Sequence, residues 1–171
     1  AGLTEQLSQK NQELLGNNNN WGILPTHRLG STLRRTLDGR LMIRSLYHYE
    51  NEGNKDLVAI QLLDQLRKRY PQFPKLNFET VWGGATGLTL NGSWLWGEYD
   101  KNLYISAGCN GGGIVKGTLF GEHLANLAND KPAPDIKNLF GSANWMPPEP
   151  FRKIGFNLIS MIESHRGKAE I

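Results

Sequence analysis

The chain has 171 residues, 39% of them hydrophobic and 20% charged, which suits one folded domain or one large piece of a bigger protein and argues against wholesale disorder. Nineteen Lys and Arg against sixteen Asp and Glu leave a net charge of +3, too little to imply a nucleic-acid partner. One cysteine excludes a disulfide framework and a cysteine-based zinc site, and a mean hydropathy of −0.46 excludes a membrane protein.

Residues 1–20 are polar and end in the run Asn17 to Asn20, which reads as a loop. The chain opens on Ala1 without a basic, apolar and small-residue leader pattern. It therefore reads as cytoplasmic, and as a processed product, a truncated gene or an excised piece. Ser31–Thr36 and Arg40–Leu46 flank Asp38-Gly39, a pair that tolerates the positive φ of a tight turn, and together they predict a β-hairpin. In its second arm Leu41, Ile43 and Ser45 alternate with Met42, Arg44 and Leu46. Asn54 is placed to cap a helix running to about Tyr70, with Leu57, Ile60, Leu63, Leu66 and Tyr70 as its apolar stripe. Arg67, Lys68 and Arg69 sit in the last turn, where cations complement the helix dipole, and Pro71 stops the helix. A solvated helix end explains that triplet better than an anion site does.

Leu76–Trp82 predicts a strand, followed by short extended pieces at Gly87–Leu90 and Ser93–Glu98 and a β-rich run at Asn102–Ala107. A helix is expected from about Ile114 to Ala128, with Gly113, Gly117 and Gly121 as a small stripe suited to close packing. The Pro-rich stretch to Pro150 reads as irregular. Phe151 to about His165 predicts a last amphipathic helix, with Ile154, Leu158, Met161, Ile162 and His165 along one side. Asn91-Gly92-Ser93 matches a glycosylation acceptor, but nothing indicates secretion.

Twenty glycines are about 12% of the chain, against a usual ~7%. Eleven of them fall between Gly83 and Gly121, where residues 80–97 and 102–115 also carry no charge. Glycine, Thr, Ser and Asn are too frequent there for a membrane helix; the pattern suggests backbone that closely approaches another element or a ligand. Tyr104 to Leu119 has the order strand, glycine-rich turn, helix, which presents bare N–H groups to an anion or a polarised carbonyl. It is neither a Walker loop, because Lys116 precedes Gly117, nor a Gly-x-Gly-x-x-Gly fingerprint. On pattern alone it is either a structural turn or a ligand cradle. His27, His48, His123 and His165 lack metal-ligand spacing and read as surface or core-edge histidines. Cys109 has no identifiable catalytic partner, and Trp82, Trp94 and Trp96 read as core or pocket wall.

The run Trp82-Gly83-Gly84-Ala85-Thr86-Gly87-Leu88-Thr89, followed by Asn102 to Ile114, resembles the C-terminal part of the D-amino-acid-oxidase-like (DAO) family of FAD-dependent amine and amino-acid oxidoreductases. That family includes glycine oxidase, sarcosine oxidase and gamma-glutamylputrescine oxidoreductase. Arg34 to Arg44 resembles the hairpin of its substrate domain, and Trp145-Met146-Pro147-Pro148-Glu149-Pro150 resembles its tail. The resemblance implies an α+β fold: an antiparallel substrate-domain sheet plus the C-terminal part of an FAD-binding α/β domain, with three main helices. Residues 1–82 would be the substrate-domain portion, 83–130 the FAD-domain portion, and 131–171 the Pro-rich segment and final helix.

By the same resemblance, Gly111, Gly112, Gly113 and Ile114 would point N–H groups at the flavin ring, with Gly108 and Asn110 closing the turn and Trp82 and Gly84 nearby. A helix N-terminus, carrying about half a positive charge, would favour negative charge on the ring. Arg44, Tyr47, His48 and Tyr49 would line a substrate face, although the three aromatic residues read equally well as a structural cluster. No catalytic base or metal ligand is assigned. Thr86 and Gly87 stand where amino-acid-oxidising members often carry Arg-Pro, so the implied substrate is a small-molecule amine, or its carboxylate is held elsewhere, with Arg44 the candidate. The dinucleotide-binding βαβ unit is absent from these residues, so the implied partner is an N-terminal FAD-binding half, without which the chain would be inactive; homo-oligomers through open sheet edges would also fit. The competing reading is a non-catalytic αβ interaction or structural domain.

Overall fold

The fold is that of a computed structural model, which describes residues 1–27, 29–51 and 53–170. In chain order its regular elements are β1 (Gly2–Thr4), α1 (Gln9–Leu14), β2 (Trp21–Ile23), β3 (Thr32–Arg35), β4 (Leu41–Arg44), α2 (Lys55–Arg69), β5 (Phe78–Val81), β6 (Leu95–Asp100), β7 (Leu103–Ala107), α3 (Gly113–Ala128), α4 (Ile136–Phe140) and α5 (Phe151–Arg166), with a 3-10 turn at Lys168–Glu170. This is a mixed α+β fold with antiparallel sheets. The chain divides into two compact units, Ala1–Gly84 with Lys153–Ile171, and Ala85–Arg152. None of the described helices is long and apolar enough to cross a membrane.

The first unit is built on a five-stranded antiparallel sheet in the order β2-β3-β4-β1-β5. The β3–β4 hairpin turns at Gly39, whose φ of +79° requires a residue without a side chain. Leu33, Leu41 and Ile43 point to one face and are buried together with Leu62 and Leu66 of α2, Leu7, Phe73 and Leu76. Arg35 shares that face and is nearly buried; its guanidinium donates to the carbonyls of Gly16 (2.8 Å) and Asn18 (2.9 Å), tying down the Asn-rich loop. Asn54 caps α2 as expected, accepting from the amides of Asp56 and Leu57. The buried stripe of α2, however, is Leu62 and Leu66, flanked by half-buried Val58 and Leu63, whereas Leu57 and Ile60 are exposed. Several helical stripes can be drawn through a leucine-rich segment, and only the facing sheet selects one. Arg67 is half-buried and donates to the Leu76 carbonyl at 2.6 Å, while Lys68 and Arg69 are solvated.

Two strands lie outside the expected set. β1, within the segment read only as polar, is interior to the sheet between β4 and β5, and β2 forms an edge. The expected extension at 87–90 is not a strand, because its backbone folds onto the glycine-rich turn. Beside the three long helices, α1 and α4 are too short to show a legible period. The apolar residues of α5 do fall on one stripe, but Ile154, Leu158, Met161 and Ile162 are all exposed.

The second unit holds the β6–β7 hairpin, α3 and α4 around Trp94, Trp96, Phe120 and Ile136. Phe120 meets Trp94 edge-on at 4.9 Å, and the Trp96 indole N–H donates to the Phe120 carbonyl at 2.9 Å. Of the three stripe glycines, Gly117 faces the Trp94 ring and Gly113 faces Cys109, while Gly121 has open space beside it.

Candidate functional site

The glycine-rich turn lies between β7 and α3. Gly108, Asn110 and Gly111 all have positive φ (+79°, +47° and +84°), so the chain reverses sharply before the helix starts. Asn110 tolerates this region better than most residues, and its side chain then holds the turn in place. Its amide nitrogen donates to the Thr89 hydroxyl (3.1 Å) and to the carbonyls of Gly92 (3.1 Å) and Gly108 (2.6 Å). Its side-chain oxygen accepts from the Thr89 amide at 2.9 Å, and its own backbone N–H donates to the Gly87 carbonyl at 3.0 Å. Thr89 adds a bond from its hydroxyl to the Ser93 carbonyl at 2.7 Å. The turn is thereby tied to the 87–93 loop of the same unit.

Beyond the turn, α3 begins with a bare end. Gly112 is its N-cap, no side chain caps it, and the first turn contains no acidic residue. Gly111, Gly112, Ile114 and Val115 are exposed, and a Cβ added at Gly111 would meet nothing within 4 Å. The first N–H groups of a helix have no intrahelical acceptor, so a sixteen-residue helix presents its dipole and its donors to solvent here. The arrangement accepts a planar acceptor or an anion approaching from outside. Cys109 is half-buried and packs on the second core. Among the described residues there is no group of His, Cys, Asp and Glu able to hold a metal ion.

The remaining predicted positions lie in the first unit. Trp82 is partly exposed just beyond β5; its N–H donates to the Ala1 carbonyl (3.0 Å), and its own carbonyl accepts from the Ala1 nitrogen (2.8 Å). Gly84 has open space around its Cα. Arg44 ends β4 with its guanidinium 5.9 Å from the centre of the Tyr47 ring and within 3.4 Å of the Thr32 hydroxyl. His48 packs beside Gly53, and Tyr49 turns to the Phe156 ring of α5 at 5.4 Å. The structure thus joins Gly108 and Asn110–Ile114 in one turn and Arg44 with Tyr47 in another cluster, while Tyr49 is part of a packing contact. Thr89 is a site residue that local pattern does not single out: its role as the turn's partner depends on a contact 21 residues away.

Residues 3–127, more than half of the chain, match the DAO family, described as FAD dependent oxidoreductase. A probable oxidoreductase OrdL of Haemophilus influenzae is 28% identical over 122 residues, covering 71% of this chain and 27% of that protein. The chain therefore spans about a quarter of the length of this curated relative. No solved structure matches it.

Proposed function

This chain belongs to the family of FAD dependent oxidoreductases, and from that membership we propose that it is the flavin-ring and substrate-domain portion of an enzyme that oxidises an amine or amino acid by hydride transfer to FAD. The observation that carries the reading is the exposed, uncapped N-terminus of α3 held behind a stapled glycine turn. These residues fit the ring of FAD: four of the six positions from 108 to 113 are glycine, the first-turn donors are accessible, and no carboxylate competes for them.

In this reading the N–H groups of Gly113, Ile114 and Val115 would donate to the ring, whereas the Gly112 N–H, expected among the donors, is already taken by the Cys109 carbonyl at 2.8 Å. Bound FAD supplies the two-electron acceptor for substrate oxidation. Asn110 and Thr89 act earlier, fixing the turn so that no reorganisation is needed when charge develops at the helix end. The nucleotide-binding βαβ unit comes from outside residues 1–171, which contain no Gly-x-Gly-x-x-Gly; the coverage of only 27% of OrdL supports this division. Alone, the chain binds FAD weakly.

The test is a titration of the full chain with FAD followed through its backbone amide resonances. Saturable shifts concentrated at residues 111–115 are expected. Gly112→Asp should separate this reading from a purely structural turn. Gly112 has a φ of −100°, and an added Cβ would meet only ordinary contacts, so the variant folds. The new carboxylate caps α3 and stabilises it by about 0.5–1 kcal/mol, yet occupies the donors and weakens FAD binding at least tenfold. Shifts scattered away from the turn, or unchanged binding in the variant, would leave only a non-catalytic domain.

A further inference from the structure

Within the first unit, α5 packs by its less apolar side. Phe156, Ser160 and Glu163 are half-buried on one helical face, which runs on to buried Gly167 beyond the helix. Phe156 meets the Tyr49 ring at 5.4 Å, and Gly167 lies against His27. Half a turn around the helix, Ile154, Leu158, Met161 and His165 are exposed, and neither hydrophobic core includes them.

This outward stripe has the spacing of a coiled-coil seam. Ile154, Leu158, Met161 and His165 follow one another at four, three and four residues, the alternation that keeps one edge of a helix facing a partner helix. The positions flanking the seam, Gly155, Ile162, Asn157 and Ser164, carry no charge, so two such edges meet without repulsion. Met161, Ile162, His165 and Arg166 line a shallow hollow of about 360 Å³, a hole for the side chain of an opposing helix. Because α5 is already folded on its own unit, pairing carries no nucleation cost. Ile154, Leu158, Ile159, Met161 and Ile162 are between 46% and 65% exposed. At roughly 100 Å² apiece they offer about 500 Å² per copy, and a pair covers about 1,000 Å², where specific interfaces begin.

We propose that two copies of this chain pair through α5, seam against seam about a two-fold axis. Such a contact is isologous and closes at two. It leaves both first units on the outside, because each seam lies opposite the face that α5 turns inward. A seam with uncharged flanks suits a second helix better than an anionic membrane surface, which selects a helix rich in Lys and Arg along its polar face. The inference needs no FAD and stands apart from the flavoenzyme reading.

The experiment is sedimentation velocity on the full chain across the micromolar range, which should show a reversible monomer–dimer equilibrium. Leu158→Glu and Met161→Glu each put a carboxylate into the seam at an exposed position, so both variants fold, as circular dichroism checks. Each should weaken the dimer about a hundredfold. Leu14→Glu, at another exposed apolar residue of the first unit, should leave it unchanged. A chain that stays monomeric throughout overturns the proposal, and its capture by vesicles of phosphatidylcholine and phosphatidylglycerol would make the stripe a lipid-facing one instead. A dimer that survives both seam variants, or that Leu14→Glu weakens equally, overturns it as well.

Discussion

The two units are held together by different means. The first spreads its core over eight buried residues from a sheet, a helix and the adjoining loops, mostly aliphatic. The second concentrates its core in four, three of them aromatic, and adds a polar staple at Asn110. A core of few large side chains concentrates the loss when one of them is removed, whereas a distributed aliphatic core shares it. The contrast also separates tasks. The unit with the larger core presents a stiff sheet face, and the unit with the smaller core presents a backbone turn.

The sharpest way to break this comparison is to excavate each core. Phe120→Ala removes the centre of the aromatic cluster and should cost about 4 kcal/mol, against about 3 kcal/mol for Leu66→Ala. Hydrogen exchange should show Phe120→Ala releasing amides of residues 85–152 first and Leu66→Ala releasing those of the five-stranded sheet. If either variant releases both sets together, the units are one cooperative body. A smaller effect compares two asparagines. Asn110→Ala strands the Thr89 amide and the Gly92 carbonyl and should cost about 2 kcal/mol by denaturation; Asn54→Ala removes only a helix cap and should cost about 1 kcal/mol. Equal losses would mean that the staple is no more than a local turn bond.

The smallest effect concerns Glu170, whose carboxylate accepts from the Thr26 hydroxyl and from the amides of Thr26 and His27. The Thr26 hydroxyl, and then the His27 amide, hold its pKa below the 4.5 of an unperturbed glutamate. A depressed folded value means that the contact contributes fully above pH 4.5 and is lost as pH falls through the folded value. The Thr26 and His27 amide resonances should therefore titrate below 4.5 and stop doing so in Glu170→Gln.

Much of the fold was legible because its signals are local. Asp38-Gly39 states a hairpin through its backbone preferences, Asn54 and Pro71 bracket α2, and the β7–turn–α3 order comes from a β-rich run, clustered glycines and an apolar helix. Strands β1 and β2 escaped because three residues show no period. Their place in the sheet depends on partners such as Ile43, 41 positions from Gly2, and Arg35, 14 positions from Trp21. The candidate turn was legible as glycines, yet its anchor to Thr89 was not, since a hydrogen bond across a loop leaves no spacing to read.

By itself, the sequence determined the β3–β4 hairpin, the three long helices, the family and the bare main chain before α3, because dihedral preference, capping and glycine content act over a few residues. Only the tertiary structure decided which stripe of α2 is buried, that β1 runs inside the sheet, and that α5 turns its apolar stripe outward. Those outcomes turn on strand register and on competition for burial, which are settled between distant segments and leave no mark on either one alone.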